Sequence, residues 1–452
     1  MTKLKYERPI IKKLESSMPN KYGLRTEFEP MTHIEGVSVK ELIKEHGSPL
    51  FVMSEAGIRK NYRNAYRAFS TRYPKVQFAW SYKTNYLSAV CNTMHQEGSW
   101  GEVVSGFEYE KAVGNGVEPQ KIIFNGPDKS FDDLRTAIEN GSLIHIDHLD
   151  EYYMIAQLAE EMHKRPQVAI RVNMDTGIYP MWDRFGFNYE NGQAWDVLNK
   201  IMVGKKMDLI GLHCHIGTYM MTAAPYGVAA AKLADLAVNL KKKYDHYIKY
   251  IDMGGGFAGK NTLKGAYLPG ADTNPTFDEY AEVITSAILN SQIHPDHLPT
   301  LILETGRALV DDAGYLLGTV IANKRSSVGK RSTILDIGVN ILFTAFWYEH
   351  KITPAQSFSH HTEDTVIYGP LCMNIDVIRE NVSMPLLNVG DNVVIHYVGA
   401  YNMTQWMQFI TLRPKVVMIS ETGKVSVIRE AENMKSISDY EKVPEHLSNF
   451  EL

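Results

Sequence analysis

Residues 77–91, QFAWSYKTNYLSAVC, hold the strand from which the fold of this chain can be predicted. Residues 78–82 are apolar and aromatic enough for a buried strand, and Lys83 follows at its end. Thr84-Asn85 is expected to open the next helix. A charged amine at the end of an apolar strand is costly to bury. Lys83 is therefore a surface residue, a member of an ion pair, or the anchor of an aldehyde cofactor.

Further apolar runs follow this strand, and amphipathic, helix-like stretches separate them. The predicted strands are Phe78–Lys83, Gly101–Val104, Ile122–Gly126, Leu143–Asp147, Val168–Asn173, Leu209–Gly217, Tyr250–Gly256 and Leu301–Arg307. Strands that alternate with helices in this way predict an α/β fold built on a (β/α)8 TIM-like barrel. A doubly wound open sheet is the alternative, but its glycine-rich first turn is replaced here by Lys-Thr-Asn.

The alternation of predicted strands and helices ends after Arg307. Strand-like runs with turn residues between them dominate there, at residues 314–326, 331–339, 392–401, 408–420 and 424–430. We therefore predict a barrel over residues 49–312 and a C-terminal all-β domain over 313–452. An N-terminal segment, residues 1–48, is expected to pack with the β domain.

The composition excludes several classes of function. The chain has 452 residues, of which 44% are hydrophobic and 22% charged, and a net charge of -5. This balance offers no electrostatic basis for binding nucleic acid or an anionic membrane, and no stretch is long and apolar enough to span a bilayer. The cysteines Cys91, Cys214 and Cys372 are scattered along the chain, which favours a reducing cytoplasm over a disulfide framework.

The sixth predicted strand delivers two histidines to the end of the barrel where barrel enzymes have their active sites. His213 and His215 share one face of this strand, and Thr218 follows. The pair could bind a metal, form part of the barrel core, or place His215 on a planar ring with Thr218 at its phosphate. No further ligand cluster stands out in the sequence, so we predict no metal.

The last two predicted strands end in motifs that suit a phosphorylated cofactor. Gly254, Gly255 and Gly256 could surround a phosphate with backbone N–H groups, or form only a tight turn. In Glu304-Thr305-Gly306-Arg307, the carboxylate could keep a pyridine nitrogen protonated while Arg307 binds phosphate or a substrate carboxylate. The alternative for Glu304 and Arg307 is a structural ion pair.

Taken in order, these motifs resemble those of the fold-type III pyridoxal-phosphate decarboxylases, the family of diaminopimelate and ornithine decarboxylases. The resemblance runs from about residue 30 to about residue 420. It implies an alanine-racemase-like barrel plus β domain, pyridoxal 5'-phosphate as cofactor, and Lys83 as the Schiff-base lysine. Residues 102–108, EVVSGFE, match a family motif with Glu102 in place of Asp, and Thr305 replaces a family proline. The implied cofactor-binding residues are Lys83, His215, Thr218, Gly254, Gly255, Gly256, Glu304, Gly306, Arg307 and Tyr401.

The resemblance also implies that two subunits share their active sites. Residues 369–372, GPLC, are similar to the family segment whose cysteine reaches the partner's site, so a homodimer is expected. Lys83 and Cys372 are the implied catalytic residues, and the substrate is a small amino acid. The implied substrate contacts are Arg307, Tyr348, Glu349, Cys372, Met373, Asp376 and Tyr401.

Three positions bear on the substrate. Diaminopimelate decarboxylases carry an arginine for the distal carboxylate where this chain has Thr344, and a glutamate where it has Met373. Tyr348-Glu349 resembles the Tyr-Asp pair that holds the distal ammonium in ornithine decarboxylases, although Glu349 could instead face solvent. We therefore predict a decarboxylase for a basic diamino acid of the ornithine or lysine type, D or L, and not a strict diaminopimelate decarboxylase.

Other functions within the same fold stay open. They are a diaminopimelate decarboxylase, a tailoring decarboxylase of a conjugated amino acid as in siderophore assembly, an amino-acid racemase, and a non-catalytic regulator that binds the cofactor. Glu304 speaks against the racemase, because alanine racemases place an arginine against the pyridine nitrogen. The presence of Lys83, Glu304 and Cys372 speaks against the regulator.

Overall fold

The computed structural model describes residues 29–266, 268–358 and 361–448. Its strands are β1 (His33–Ile34), β2 (Val37–Ser38), β3 (Leu50–Ser54), β4 (Val76–Ser81), β5 (Trp100–Val103), β6 (Ile122–Phe124), β7 (Leu143–Ile146), β8 (Gln167–Asn173), β9 (Phe187–Asn188), β10 (Asp208–His213), β11 (Tyr250–Asp252), β12 (Thr300–Leu303), β13 (Gly314–Arg325), β14 (Arg331–Leu335), β15 (Ile352–Pro354), β16 (Thr362–Tyr368), β17 (Val377–Pro385), β18 (Asn392–His396), β19 (Lys415–Ile419) and β20 (Val425–Arg429). Its helices are α1 (Val39–His46), α2 (Glu55–Ser70), α3 (Ser88–Gln96), α4 (Gly106–Gly114), α5 (Phe131–Asn140), α6 (Leu149–Glu161), α7 (Gln193–Gly204), α8 (Ala224–Tyr244), α9 (Gly270–Thr273), α10 (Phe277–Leu289), α11 (Arg307–Val310) and α12 (Lys435–Ser438).

Parallel strands close into a barrel, as the sequence predicts. Strands β4 to β8 and β10 to β12 form one sheet, in which β12 pairs with β4 and β8 pairs with β10. Apolar side chains from the strands fill the interior, namely Ala79, Ile123, Leu143, Ala169, Ile210, Tyr250 and Ile302. The carboxyl ends of these strands therefore meet at one mouth, and the prediction of a (β/α)8 barrel with a separate β domain is confirmed.

The turn after β4 differs from the prediction. A 3-10 turn over Tyr82–Thr84 follows the strand, and α3 begins only at Ser88, so Thr84-Asn85 does not open the helix. Asn85 is extended, at φ -164°, and its side-chain oxygen accepts a hydrogen bond from the Leu87 N–H at 3.1 Å. Because this amide braces the turn, Lys83 is fixed on a tight bend.

The second sheet includes a strand that precedes the barrel. β3 lies between β13 and β19, and pairs antiparallel with the first and parallel with the second. The boundary predicted at residue 49 placed this run with the barrel, because a short apolar strand looks alike in either sheet. Leu50 and Val52 pack instead with Leu317 and Val417 in a separate core, which assigns β3 to the β domain.

The described part of the N-terminal segment, residues 29–48, packs on this same core. Ile34, Val39 and Leu42 are buried against it, and the Met31 N–H donates to the Pro354 carbonyl at 2.8 Å. Residues 1–28 of the predicted segment, and residues 449–452 of the predicted β domain, lie outside the described residues. Within the described ranges, no helix has the length and apolar character needed to cross a membrane.

Three strands of the β domain, β15, β16 and β17, were not predicted. β16 and β17 pair antiparallel at the end of the second sheet, and both are largely half-buried or exposed. Polar and charged residues occupy many positions in these strands, TEDTVIY and VIRENVSMP. A strand that is solvated on one face lacks the continuous apolar run from which the other strands were predicted.

Candidate active site

Lys83 forms an ion pair at the barrel mouth. Its Nζ lies 2.8 Å and 2.7 Å from the two carboxylate oxygens of Glu102, one residue before the end of β5. Glu102 is fully buried, whereas the Lys83 side chain is 38% exposed. Burial works against a charged amine, but the carboxylates of Glu102 and Glu304 together raise the pKa of Lys83 above its ordinary value. The amine is thus a cation that has a proton acceptor beside it.

Asn125 connects the two carboxylates near Lys83. Its Nδ2 donates to Glu304 Oε1 at 2.6 Å and to Glu102 Oε1 at 3.0 Å. The sequence did not single out this residue, although it lies inside the predicted strand Ile122–Gly126. An uncharged amide carries no motif of its own, so only its place at a strand end could have indicated the site.

The EVVSGFE motif fixes the backbone next to Glu102 by hydrogen bonds at the start of α4. Ser105 caps α4, with its Oγ accepting from the Glu108 N–H at 3.3 Å, and Glu108 Oε2 accepts from the Val104 N–H at 2.8 Å. Burial, followed by the charge of Glu102, raises the pKa of Glu108 to about 7. The motif therefore fixes the backbone just after Glu102.

Below the barrel mouth, side chains from β7, β10 and β11 lie close to Glu304, which follows β12. His145, His213, Asp252 and Glu304 are all buried, and one ligand-type atom of each lies within 4.8 Å of the others. His213 Nε2 is 3.4 Å from Glu304 Oε2. Burial lowers the pKa values of both histidines well below the ordinary value, so the imidazoles are neutral. The sequence did not reveal this cluster because its members are far apart along the chain.

His215 presents a neutral ring at the end of β10. Burial lowers its pKa to about 3, and its Nδ1 accepts from the Gly255 N–H at 3.2 Å. Trp182, on the loop between β8 and β9, lies against it, with ring centroids 5.4 Å apart and planes at 50°. Thr218 follows and is exposed. The hydrogen bond and the indole together fix the plane of the His215 ring.

The three consecutive glycines are required by close packing. A Cβ on Gly254 would lie 2.5 Å from the Cys214 carbonyl oxygen, and one on Gly256 would lie 2.2 Å from that of Gly217. A Cβ on Gly255 would lie 2.5 Å from the carbonyl oxygen of Glu304. The glycine loop is thus clamped between the loops after β10 and β12. The interpretation as a tight turn has a steric basis, and binding of phosphate by this loop stays a prediction.

Arg307 lies among aromatic rings next to the glycine loop. Its guanidinium carbon is 4.6 Å from the Tyr401 ring centroid and 4.9 Å from that of Tyr348. Its Nη1 is buried, 3.9 Å from Asp311 Oδ2, and has no hydrogen-bond partner among the described residues. A Cβ on Gly306 would meet Thr84 Oγ1, so only glycine fits before Arg307. A buried guanidinium with a free N–H suits a phosphate or a carboxylate.

The β domain also contacts the turn that carries Lys83. The Tyr401 N–H donates to the Thr84 carbonyl at 2.8 Å, and Thr404 Oγ1 donates to the Lys83 carbonyl at 2.8 Å. Tyr401 adopts a positive φ of 65°, which places its ring over Arg307. Barrel and β domain therefore meet at the candidate site.

The loop that carries Cys372 is held by Asp376. The two carboxylate oxygens of Asp376 accept from the Val339 N–H at 2.8 Å and the Leu371 N–H at 2.7 Å. Cys372 itself is exposed, and Met373 is half-buried. Both oxygens of Asp376 are thus engaged by backbone, which makes it a support for the loop; contact of Asp376 with substrate stays a prediction.

Glu349 and its neighbour Tyr348 have different surroundings. Tyr348 is buried beside Arg307, whereas Glu349 Oε2 lies 3.5 Å from Arg379 Nη2. Glu349 and Arg379 line a separate cavity of about 640 Å³, together with Lys351. The structure brings Tyr348, but not Glu349, into the group around Arg307.

Thr344 occupies a buried and uncharged network. Its Oγ1 lies 2.8 Å from His350 Nε2 and 3.0 Å from Asn402 Oδ1. Burial lowers the pKa of His350 to about 4, so its ring is neutral. The position at which diaminopimelate decarboxylases are expected to carry an arginine therefore holds no cation here.

Comparison with known proteins assigns the family. The model for the pyridoxal binding domain of pyridoxal-dependent decarboxylases matches residues 58–311. The chain belongs to this family. Diaminopimelate decarboxylase of Methanocaldococcus jannaschii is 31% identical over 92% of this chain and 95% of that protein. This protein is thus a pyridoxal-phosphate-dependent amino-acid decarboxylase.

Solved structures agree with this assignment. The crystal structure of the M. jannaschii diaminopimelate decarboxylase superposes with a TM-score of 0.85, at 30% identity over 93% of this chain and 98% of that one. The lysine/ornithine decarboxylase of Vibrio vulnificus, at 21% identity over 84% of this chain and 96% of that one, has a TM-score of 0.71 and shares the fold. The more similar of these relatives are named diaminopimelate decarboxylases, an activity that we predicted from the sequence only as an alternative.

The residues at the barrel mouth fit pyridoxal phosphate. The cofactor needs an amine, a carboxylate for its ring nitrogen and a cation or N–H groups for its phosphate. Lys83 and Glu304 supply the first two from neighbouring strand ends, and the buried Nη1 of Arg307 has no hydrogen-bond partner in the described part of the chain. We expect the cofactor to bind among these groups.

Proposed function

We propose that this decarboxylase removes one carboxylate from an amino acid that carries a second amino group, with diaminopimelate as the first candidate. The observation that carries the proposal is similarity along nearly the whole chain to an enzyme of that name, over 92% of this chain. Bound pyridoxal phosphate supplies the ring that accepts the electron pair left when carbon dioxide departs.

The chain's own residues have separate tasks in this proposal. Lys83 would hold the cofactor through its amine, and Glu102, at 2.7 Å, would hold the proton that the amine gives up. Glu304 holds the proton on the ring nitrogen, and Asn125 orients it through the 2.6 Å hydrogen bond. His215, neutral and fixed by Gly255, would contact the face of the ring.

Phosphate and substrate are bound at the other side of the site. We assign the phosphate to Thr218, the Gly254–Gly256 loop and Tyr401. The N–H groups of Gly254 and Gly255 already have acceptors in Asp252 and His215, so Gly256 supplies the remaining N–H of the loop. Arg307, enclosed by tyrosine rings, is the cation for a carboxylate of the substrate or for the phosphate.

We further propose a homodimer in which Cys372 of each chain serves the site of the other. The exposed thiol on a loop braced by Asp376 supports this arrangement. All three cysteines are free, which supports the predicted cytoplasmic location.

The test is a measurement of carbon dioxide released by the purified holoenzyme. We expect meso-diaminopimelate to give the highest kcat/KM in a panel with D- and L-lysine and D- and L-ornithine. Alanine, which lacks a distal group, should be slower by at least about tenfold, because a site built for polar groups rejects a substrate that leaves them unpaired. Racemisation without gas release from every compound would contradict the proposal.

A second candidate, a diamino acid with a single carboxylate such as lysine or ornithine, is favoured by one observation. Thr344 lies in a neutral, hydrogen-bonded network, and Met373 is apolar. A second carboxylate on the substrate would therefore lack the arginine that the family uses, and an unpaired charge is strongly rejected. A higher kcat/KM for lysine or ornithine than for meso-diaminopimelate would select this candidate.

Substitution of Glu349 tests whether its carboxylate contacts the distal ammonium of the substrate. If its carboxylate binds a distal ammonium, Glu349→Gln should raise KM for diamino substrates about tenfold, the loss expected for a charge-assisted hydrogen bond. Arg379→Gln removes the charged partner of Glu349 together with the Arg379 hydrogen bond to the His350 carbonyl; it is the matched control and should leave KM nearly unchanged. Equal effects of the two changes would assign Glu349 to a surface ion pair.

A further inference from the structure

Asp252 and Glu304 bring two carboxyl groups together inside the barrel. Asp252 ends β11, Glu304 follows β12, and their oxygens lie within 4.8 Å of each other. Asp252 is 0% exposed and Glu304 5%. Two negative charges this close, and both buried, repel each other strongly, so one member of the pair is a carboxylic acid.

The partners of each carboxyl group identify the acid. Glu304 accepts a hydrogen bond from Asn125, whereas the donor to Asp252 Oδ1 among the described residues is the backbone N–H of Gly254, at 2.8 Å. Asp252 Oδ2 is buried and has no donor among the described residues. As a carboxylate oxygen it would be an unsatisfied acceptor, but with a proton it becomes a donor.

The charges around Asp252 do not compensate a second anion. The surrounding groups are Glu102 of β5, His145 of β7, Arg171 of β8, His213 and Cys214 at β10, and Glu304 after β12. Burial keeps the histidines neutral and raises the pKa of Cys214, so its thiol is neutral too. The cations Lys83 and Arg171 are paired with other carboxylates. Lys83 contacts Glu102, and Arg171 Nη1 lies 3.7 Å from Asp147.

We infer that Asp252 is protonated and donates a hydrogen bond to Glu304. Asp252 is then a positioning residue for the carboxylate at the cofactor's ring nitrogen. The inference rests on the proposed role of Glu304. Burial, the charge of Glu304 and a hydrogen bond between the two side chains raise the pKa of Asp252 well above its ordinary value. Asn125 and Asp252 then hold Glu304 from two sides.

Two substitutions distinguish a protonated Asp252, which donates a hydrogen bond, from an ionised Asp252. Asp252→Asn keeps the shape, the acceptor for Gly254 and an N–H donor for Glu304, whereas Asp252→Ala removes all donors. We expect Asp252→Asn to change the dissociation constant of pyridoxal phosphate by less than about threefold. Asp252→Ala should weaken binding about tenfold or more, because a hydrogen bond to a buried charged group is lost.

Infrared spectroscopy of the full-length protein detects the proton directly. The carbonyl stretch of a protonated carboxyl group is separate from carboxylate bands. At neutral pH this band should lose the intensity of one carboxyl group between the wild type and Asp252→Asn, while Glu108, whose pKa is about 7, contributes to the band in both proteins. An unchanged band, or equal loss of cofactor affinity in both variants, would overturn the inference. So would one tightly bound divalent metal per chain by elemental analysis, because a cation would replace the proton between these four residues.

These readouts do not depend on substrate turnover. If the band and the affinities behave as expected while no amino acid releases carbon dioxide, the proposed function fails and the inference about Asp252 stands. If gas is released but Asp252→Asn behaves like Asp252→Ala, the inference fails alone.

Discussion

Replacement of Lys83 by alanine should lower carbon dioxide release by at least about 10³-fold, because the residue that anchors the cofactor and its covalent chemistry are removed together. The same variant should lose the visible absorbance of lysine-bound pyridoxal phosphate. The amine lies 2.7 Å from Glu102 and is the only amine for which the described residues provide both this acceptor and Glu304 as a neighbour.

A matched control for this substitution is available on the surface. Lys121 is 47% exposed and pairs with Glu118 outside the barrel mouth. Lys121→Ala should keep both the activity and the absorbance, since exposed ion pairs contribute little to stability. An active, coloured Lys83→Ala protein would show that another group binds the cofactor.

Cys372→Ala should also be nearly inactive if the thiol serves the partner's site. Lys83→Ala and Cys372→Ala chains that are mixed and allowed to exchange should then regain activity, because a mixed dimer contains one site with both residues intact. Random exchange predicts recovery to about a quarter of the wild-type activity. The exposed position of Cys372, on a loop supported by Asp376, is the structural reason for this expectation.

No recovery after exchange would place Lys83 and Cys372 in the same chain's site, or exclude a dimer. Subunit exchange itself is verified by carrying a different affinity tag on each variant. Each variant alone serves as the background, so residual single-mutant activity cannot be mistaken for complementation.

The barrel was predictable because its strands are buried on both faces. Such strands form continuous apolar runs, and their ends can be read directly from the sequence, as for Lys83, His215 and Glu304. The strands of the β domain that are solvated on one face, such as Thr362–Tyr368, give no such run. Leu50–Ser54 gives a clear run, but nothing in it states which of two sheets it joins.

The interior of the site was not predictable in the same way. Asn125, His145 and Asp252 are common residue types at strand ends, and only the closure of the barrel brings them to Glu304. Glu349 shows the opposite difficulty. Its place next to Tyr348 suggested a shared pocket, but adjacent side chains point in different directions, and Arg379 pairs with its carboxylate.

Chemical trapping of the cofactor identifies the lysine that anchors it. The holoenzyme is reduced with borohydride, digested, and analysed by mass spectrometry for the pyridoxyl-modified peptide. We expect a single modified residue, Lys83, on the turn after β4. Modification of another lysine, or a cofactor that washes away unreduced, would contradict the assignment of Lys83 as the anchor.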